Sequence, residues 1–342
     1  MAETALGGRS PMPRHALVVA VFAVLVQALL VTLFAWPAVN TAPRDLPIII
    51  AGPAAAATRL ADTLADQRPG AFTTTLVSSE TEADEMLRDH EAYAAFIVGA
   101  DGLSLHLASA ASPVVAQLLT PVAQELGQGG RVAVVDVVPT TEDDPRGVGF
   151  AAGFLPVVLT SLLVGALLMF VVRGRLGRLV GVVTFSVLAA LVGTGVLQYG
   201  MDALSGNYLA NAGVIGLLAL AMAGTVLGLS TLLGPAGLGI GGLLMLAVGN
   251  PFSGVSSAPE LLPQPWGQLG QLLPPGAGST LLREVSYFDG AGAAGPAVTL
   301  VCWATAGLVM IMLGNHRGTG HQAQTGQASV ADGTGPAEGS IV

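Results

Sequence analysis

The chain has 342 residues, of which 52% are hydrophobic and 10% are charged, whereas soluble domains carry about 25% charged residues. All 13 basic residues are arginines and the formal net charge is −9. The chain therefore lacks the lysine that a Walker A motif places against phosphates, and it lacks a basic face for nucleic acid. The composition indicates an integral membrane protein, and any ATP that drives it must be bound by another polypeptide.

The chain begins with a short polar segment, residues 1–14, which we expect in the cytoplasm. The apolar segment 15–36 has about the 20 residues that span a bilayer. A cleaved signal peptide is the alternative, but its apolar region is usually about 7–15 residues long. We therefore predict an uncleaved first transmembrane helix.

Residues 37–147 have the composition of a soluble domain. They hold 15 acidic residues and 6 arginines, which accounts for the whole net charge. Predicted strands alternate with predicted helices, and this order favours a small α/β domain that folds by itself. The strands are expected at 46–51, 72–77, 93–98, 103–108 and 131–138, and the helices at 54–66, after Ser79, and at 113–126. We place this domain outside the cytoplasm, between transmembrane helices 1 and 2.

Several polar residues in this domain are candidates for a helix cap, a cation site or metal ligands. Ser79 and Glu82 have the spacing of a capping box. Six acidic residues follow one another closely enough to suggest a cation site, but at helical spacing they point around the helix, so we interpret them as a solvated face: Glu80, Glu82, Asp84, Glu85, Asp89 and Glu91. His90 and His106 have no Cys or His at metal-ligand spacing, and we expect both at the surface. No catalytic, metal or cofactor residue is predicted.

Residues 148–314 are predicted to form a membrane domain with five further spans. The apolar runs lie at 150–172, 179–199, 212–233, 238–249 and 295–314. The fourth of them is short and spans only if it joins part of the broken stretch that follows it. The predicted fold is thus an α-helical integral membrane protein with six transmembrane helices and both termini in the cytoplasm. This places six arginines on the inner side, as the positive-inside rule expects: Arg9, Arg14, Arg173, Arg175, Arg178 and Arg317. The Gly-, Ala-, Gln- and Ser-rich tail, residues 315–342, is predicted to be disordered.

The stretch at about 250–290 contains too much Pro and Gly for one helix, yet it is rich in Leu and aromatic residues. Broken backbone at membrane depth survives only when it is buried in protein or lines a polar cavity. We therefore predict short helices that dip into the outer face and return, meeting between Gln264 and Gly276. An ordinary loop with amphipathic patches is the alternative. The candidate residues of this re-entrant motif are Asn250, Pro251, Phe252, Pro263, Trp266, Pro274 and Arg283.

This arrangement before a last transmembrane helix resembles the permease subunits of type-2 ABC exporters, and it looks closest to YhgE/Pip-like membrane proteins with a large extracytoplasmic insert. The resemblance is carried by Asn250 to Gly254, Leu262-Pro263, Leu273-Pro274 and Leu282-Arg283 ahead of Tyr287 to Gly290. It implies a plasma-membrane transport subunit that moves a hydrophobic or amphipathic substrate outward. It also implies a separate ATP-binding cassette ATPase as partner, and a homodimer or a heterodimer with a related permease.

The same resemblance implies that the turn between spans 2 and 3, with Arg173, Arg175 and Arg178, couples to the ATPase. The alternative for these arginines is that they fix topology and bind anionic membrane lipids. The shortness of this turn favours a second interpretation of the whole chain: a non-transporting YhgE/Pip-like protein whose ectodomain binds a partner or an envelope component.

Enzymatic chemistry inside the membrane domain is not expected. No Asp, Glu, Lys, Arg or His occurs from Leu179 to Met201 or from Ala203 to Pro259. Proton relays and general acid–base catalysis both need such groups.

The absence of Lys with abundant Ala, Gly and Arg suggests a GC-rich bacterial source.

Overall fold

The computed structural model describes residues 14–127 and 130–314. The predictions for residues 1–13 and for the tail 315–342, including Arg9 and Arg317, lie outside the described residues. Helix α1 (Arg14–Val39) leads into an α/β region, residues 42–138, which is followed by a helical region, residues 148–314.

The α/β region contains five strands and three helices, and they are β1 (Leu46–Ala51), α2 (Ala54–Gln67), β2 (Phe72–Val77), α3 (Glu80–Arg88), β3 (Ala94–Gly99), β4 (Gly102–Leu107), α4 (Pro113–Leu126) and β5 (Ala133–Asp136). The sheet order is β2-β1-β3-β4-β5. Strand β1 is parallel to both neighbours, β3 and β4 form an antiparallel hairpin, and β5 is parallel to β4. Ile48, Ile49 and Ile50 are all buried, because β1 lies inside the sheet with both faces covered. The predicted alternation is confirmed.

The start of α3 shows how closely local chemistry was predicted. The Ser79 hydroxyl accepts the Glu82 N–H at 3.2 Å, as a capping residue should. The return contact differs from the expected capping box. The Glu82 carboxylate accepts from the N–H and hydroxyl of Ser78, each at 3.3 Å. The predicted start of the helix is therefore confirmed, but the Glu82 carboxylate bonds Ser78 and not the N–H of the capping residue Ser79.

The helical region consists of α5 (Val148–Val171), α6 (Arg175–Gly195), α7 (Tyr208–Leu233), α8 (Pro235–Gly242), α9 (Trp266–Gly270), α10 (Pro274–Tyr287) and α11 (Ala294–Leu313). A π-helical turn extends α6 to Gly200, and another extends α8 to Gly249. Among the described residues, five helices are long and apolar enough to cross a membrane: α1, α5, α6 with its extension, α7 and α11. The remaining predicted span corresponds to the shorter apolar helix Pro235–Gly249.

Helix α7 is the centre of the helical region, since most of its apolar window is buried by neighbouring helices. Its closest neighbour is α11. A Cβ atom on Gly307 of α11 would lie 2.5 Å from the carbonyl carbon of Gly224 on α7, so the two backbones meet at glycines, as small residues in membrane helices permit. In contrast, the most apolar window of α1 has no buried residue.

Candidate functional site

The broken stretch folds into a 3₁₀ turn at Pro259–Leu261 followed by α9 and α10. The two helices meet at residues 271–273, within the range Gln264 to Gly276 where short helices were expected. That they dip into the outer face of a membrane stays a prediction. Backbone groups freed by the breaks find partners inside the protein. The Ser253 carbonyl accepts from the Gln271 amide at 3.0 Å and from the Ser279 hydroxyl at 3.1 Å. Helix α10 is buried along most of its length, whereas Trp266, Leu269 and Leu272 at and after α9 are exposed. The part of the stretch that belongs to the protein interior is therefore α10.

The seven candidate residues of the re-entrant motif divide into two groups. Most of them shape the backbone. Phe252 stacks on Trp266 with ring centroids 5.3 Å apart, and Pro274 occupies the first turn of α10, where a missing N–H costs nothing. Asn250, Pro251 and Pro263 lie in the turns between these elements. Arg283 alone of the seven places a charge inside the protein.

The broken stretch also joins the helical region to the α/β region. Ala258, Leu261 and Phe288 are buried in the core of the α/β region. The Ala42 N–H donates to the Leu261 carbonyl and the Arg44 N–H to the Glu260 carbonyl, both at 3.0 Å. The two regions are therefore held together by main-chain hydrogen bonds as well as by apolar packing.

Two side-chain pairs reinforce this junction, and we call their four residues the junction clasp. His90 Nδ1 lies 2.5 Å from Glu284 Oε1, and its ring stacks on Phe288 with centroids 4.3 Å apart. The Tyr93 hydroxyl donates to Glu260 at 2.7 Å. The expectation that His90 lies at the surface is wrong, because α10 covers it.

Arg283 lies beside the clasp and is only 6% exposed. One guanidinium N–H donates to the Val255 carbonyl at 3.1 Å, and the group stands over the Phe150 ring at 4.9 Å. Among the described residues, Arg283 forms no ion pair. Burial lowers the pKa of Arg283 from its usual value, because desolvation penalises the charged form. A guanidinium has five N–H donors, and in the described part of the chain only the Val255 carbonyl accepts from this one.

Arg283 separates two cavities. The first, which we call the arginine cavity, has a volume of about 540 Å³ and includes Arg146, Val148, Phe150, Val255, Arg283 and Tyr287 in its walls. Two guanidinium groups and no carboxylate line it. The second, the carboxylate cavity, has a volume of about 440 Å³ and is bounded by His90, Glu91, Tyr93, Glu260 and Glu284. The arginine cavity is thus lined by positive charge and the carboxylate cavity mainly by negative charge, with Arg283 between them.

Two tyrosines at the junction are kept neutral. Burial raises the pKa of Tyr93 well above its usual range, and the neighbouring Glu260 raises it further. Burial and the nearby Asp144 raise the pKa of Tyr287 to about 12. The Tyr287 hydroxyl donates to the Ala203 carbonyl at 2.8 Å. Both phenols therefore act as hydrogen-bond donors at neutral pH.

A second polar group lies within the α/β region. His106 is 3% exposed, with Nδ1 2.7 Å from Asp84 and Nε2 3.7 Å from Glu80. The ligand atoms of these three residues all lie within 4.8 Å of one another, which is close enough to hold a metal ion. The predicted surface position of His106 is wrong, and two of the six acidic residues expected to diverge, Glu80 and Asp84, converge on it. Glu80 and Asp84 are one helical turn apart on α3, and the hairpin strand β4 brings the histidine to them.

The predicted coupling turn is only partly exposed. Arg178 is buried, and its guanidinium donates to the carbonyls of Val172 at 3.0 Å and Met169 at 3.1 Å. It therefore caps the end of α5, as basic side chains near helix C-termini do. Arg175 donates to the Gly314 carbonyl at 3.1 Å. Arg173 and Arg175 are exposed, so they are the two arginines of the turn that a partner can reach.

Reasoning from sequence missed the junction clasp. A signal for it exists, because Glu260, Arg283, Glu284 and Asp289 are the only charged residues between Asn250 and Gly290. Charged side chains in an otherwise apolar broken stretch need internal partners. The partners His90 and Tyr93 are more than 150 residues away, and no local pattern connects them.

Comparison with known proteins places the chain in no family: no protein-family model, no curated protein and no solved structure matches it.

Proposed function

We propose that the chain is the permease subunit of a type-2 ABC exporter, moving a hydrophobic or amphipathic substrate outward across the plasma membrane. In this proposal six spans cross the membrane, both termini are cytoplasmic, the α/β region is extracytoplasmic, and a separate ATPase supplies the energy. The observation that carries it is the arginine cavity, which opens at the junction of the two regions and is walled by a broken, buried helix. Broken helices at membrane depth are typical of transporter binding sites.

The remaining span, the fifth of the six in chain order, is formed by the helix Pro235–Gly249 together with the segment after it. The helix has 15 residues, fewer than the roughly 20 that cross a bilayer. Its last turn continues into the segment 250–257. The Ser253 and Val255 carbonyls of this segment accept hydrogen bonds from Ser279 and Arg283 of α10, and the segment lines a cavity together with the end of α1. The outer half of this span is then the broken stretch itself.

Helix α5 provides a mechanical link between the ATPase side and the cavity. It begins beside the arginine cavity with Val148 and Phe150, and it ends at the carbonyls that Arg178 caps. Its 24 residues make a rod of about 36 Å. A displacement of the arginine turn by an ATPase is therefore transmitted by one continuous helix to the ring that lies under Arg283.

One observation favours a second candidate function, a non-transporting protein whose ectodomain binds a partner or an envelope component. Arg178 is committed to α5, which leaves Arg173 and Arg175 as the exposed charges of a short turn. This is a small surface for docking an ATPase. Such a protein would need the α/β region only as a fixed platform, which the junction clasp also provides.

The two candidates are separated by purifying the tagged chain in mild detergent from cells that naturally produce it. The exporter proposal predicts that a P-loop ATPase co-purifies with vanadate-sensitive ATP hydrolysis. The control is an unrelated multi-pass protein carrying the same tag and expressed in the same cells. If hydrolysis does not exceed that control, the exporter proposal fails and the platform function replaces it.

A further inference from the structure

We propose that the arginine cavity binds an anionic amphiphile, a phosphate or carboxylate head on an apolar chain, with Arg283 and Arg146 holding the head. This deepens the proposed function, because it names the class of substrate. The binding itself does not require that transport occurs.

The charge of Arg283 is the first argument. A buried guanidinium is costly unless an opposite charge or enough acceptors compensate its lost hydration. Among residues 14–127 and 130–314, one carbonyl, that of Val255, accepts from its N–H groups, with the Phe150 ring beneath. An anion in the cavity would supply the missing compensation, and guanidinium groups bind phosphate and carboxylate with paired hydrogen bonds.

The carboxylates closest to Arg283 already have other partners. Glu284 is the next residue, but its carboxylate bonds His90 at 2.5 Å and the Gly292 N–H at 3.2 Å. Asp144 accepts the Phe150 N–H at 2.9 Å. Neither lines the arginine cavity. The Glu284 carboxylate still acts on the guanidinium, since it raises the pKa of Arg283 against the effect of burial. Glu260 and Glu284 line the carboxylate cavity on the other side of Arg283, so the side that faces the arginine cavity is left to a ligand.

A second arginine stands at the exposed part of the same cavity. Arg146 is exposed and lies two residues before the start of α5. An anion between Arg146 and Arg283 would thus meet positive charge on both sides. The carboxylate cavity beyond Arg283 carries the opposite charge and would repel it.

The remaining walls explain why an apolar chain belongs to the ligand. They are formed mainly by apolar groups, among them Pro113, Val114, Val148, Ala151 and Val255. The volume of about 540 Å³ lies within the range of about 300–1,000 Å³ that is usual for ligand sites. Each methylene buried there raises affinity by about fourfold. A free anion without a chain gains none of this.

The test is equilibrium binding to the full chain in a neutral maltoside detergent, with radiolabelled dodecyl phosphate as probe. We expect saturable binding of one probe per chain. Unlabelled dodecanoate should compete, because it has an anionic head and a chain. Dodecyltrimethylammonium, with a cationic head, and inorganic phosphate, with no chain, should not compete at the same concentration. Competition by inorganic phosphate would show a site for free anions and would overturn the amphiphile proposal.

Three substitutions complete the test. Arg283→Gln should weaken binding by at least about tenfold, and Arg146→Gln by about three- to tenfold, because each removes a charge-assisted hydrogen bond. Arg59→Gln is the matched control, since it removes an exposed arginine of α2 that does not line the cavity. Arg146 is exposed, so its variant decides the question even if Arg283→Gln does not fold. Equal affinities of Arg146→Gln, Arg59→Gln and the unaltered chain would overturn the proposal.

Failure of this inference is distinguishable from failure of the exporter proposal. If the probe binds as described but no ATPase co-purifies, the anionic site stands and transport does not. If the unaltered chain binds no probe while an ATPase does co-purify, the site is wrong and the substrate of the exporter lacks an anionic head.

Discussion

The substitution Glu284→Gln tests whether the junction clasp holds the α/β region on the helical region. Glu284 is 4% exposed and bonds the His90 ring at 2.5 Å. Gln keeps the shape and an acceptor for the Gly292 N–H, so the loss is confined to the charge-assisted bond with His90. Buried hydrogen bonds to charged groups contribute about 1.5–3 kcal/mol, which corresponds to about a tenfold to hundredfold increase in opening of the junction.

Hydrogen–deuterium exchange of the full chain in detergent measures that opening. The Ala42 and Arg44 amides donate across the junction to Leu261 and Glu260, so the peptide that contains them reports directly. Its exchange should accelerate by the same tenfold to hundredfold in Glu284→Gln, while α7 stays protected. The control is Glu91→Gln, because Glu91 is exposed and lines the carboxylate cavity together with Glu284. Equal exchange in the two variants, or equal loss of protection throughout α7, would refute the assigned role of the clasp.

Three further predictions concern other parts of the molecule. Gly307→Ala should destabilise the helical region by about 1–3 kcal/mol in detergent unfolding, because the new Cβ would meet the α7 backbone. Gly295→Ala on the same helix places its Cβ in open space and should not destabilise, and equal effects of the two substitutions would exclude the close α7–α11 contact. Tyr287→Phe should lower stability by about 0.5–1.5 kcal/mol at neutral pH by removing a hydrogen bond. Burial raises the pKa of Tyr287 in the folded chain to about 12. In the unaltered chain the stabilising effect of the neutral phenol is therefore complete below about pH 10 and is lost as the pH rises towards 12. The thermal midpoints of the unaltered chain and of Tyr287→Phe should converge over that range, and a constant difference between them would contradict this assignment. Arg178→Gln should destabilise the end of α5 by about 1–2 kcal/mol, whereas Arg173→Gln should leave thermal stability unchanged and lower ATP hydrolysis by a co-purified ATPase; the reverse pattern would show that Arg178 and not Arg173 is the docking residue.

Local chemistry made much of the α/β region predictable. The continuous apolar run of β1 and the Ser79 cap each act within a few residues. The sheet order could not be predicted, because parallel neighbours such as β1 and β3 are joined only by long connections.

Contacts between distant parts of the chain explain the remaining errors. His90 was expected at the surface because no Cys or His stands at metal-ligand spacing from it, yet its partner Glu284 is 194 residues away. Leu261 and Phe288 complete the core of the α/β region from within the broken stretch. That the α/β region folds alone remains a prediction. A fragment of this region lacks Leu261 and Phe288, and the loss of these two core residues would lower its stability.

The most direct test of the exporter proposal is ATP-driven uptake of radiolabelled dodecyl phosphate by inside-out membrane vesicles from cells that naturally produce the chain. These vesicles retain the partner ATPase, and outward export in cells becomes uptake by the vesicles. We predict uptake that needs ATP and the chain, is inhibited by vanadate, falls in Arg146→Gln, and is unchanged in Arg59→Gln. Uptake that is the same in vesicles from cells lacking the chain, or that does not need ATP, would contradict the account.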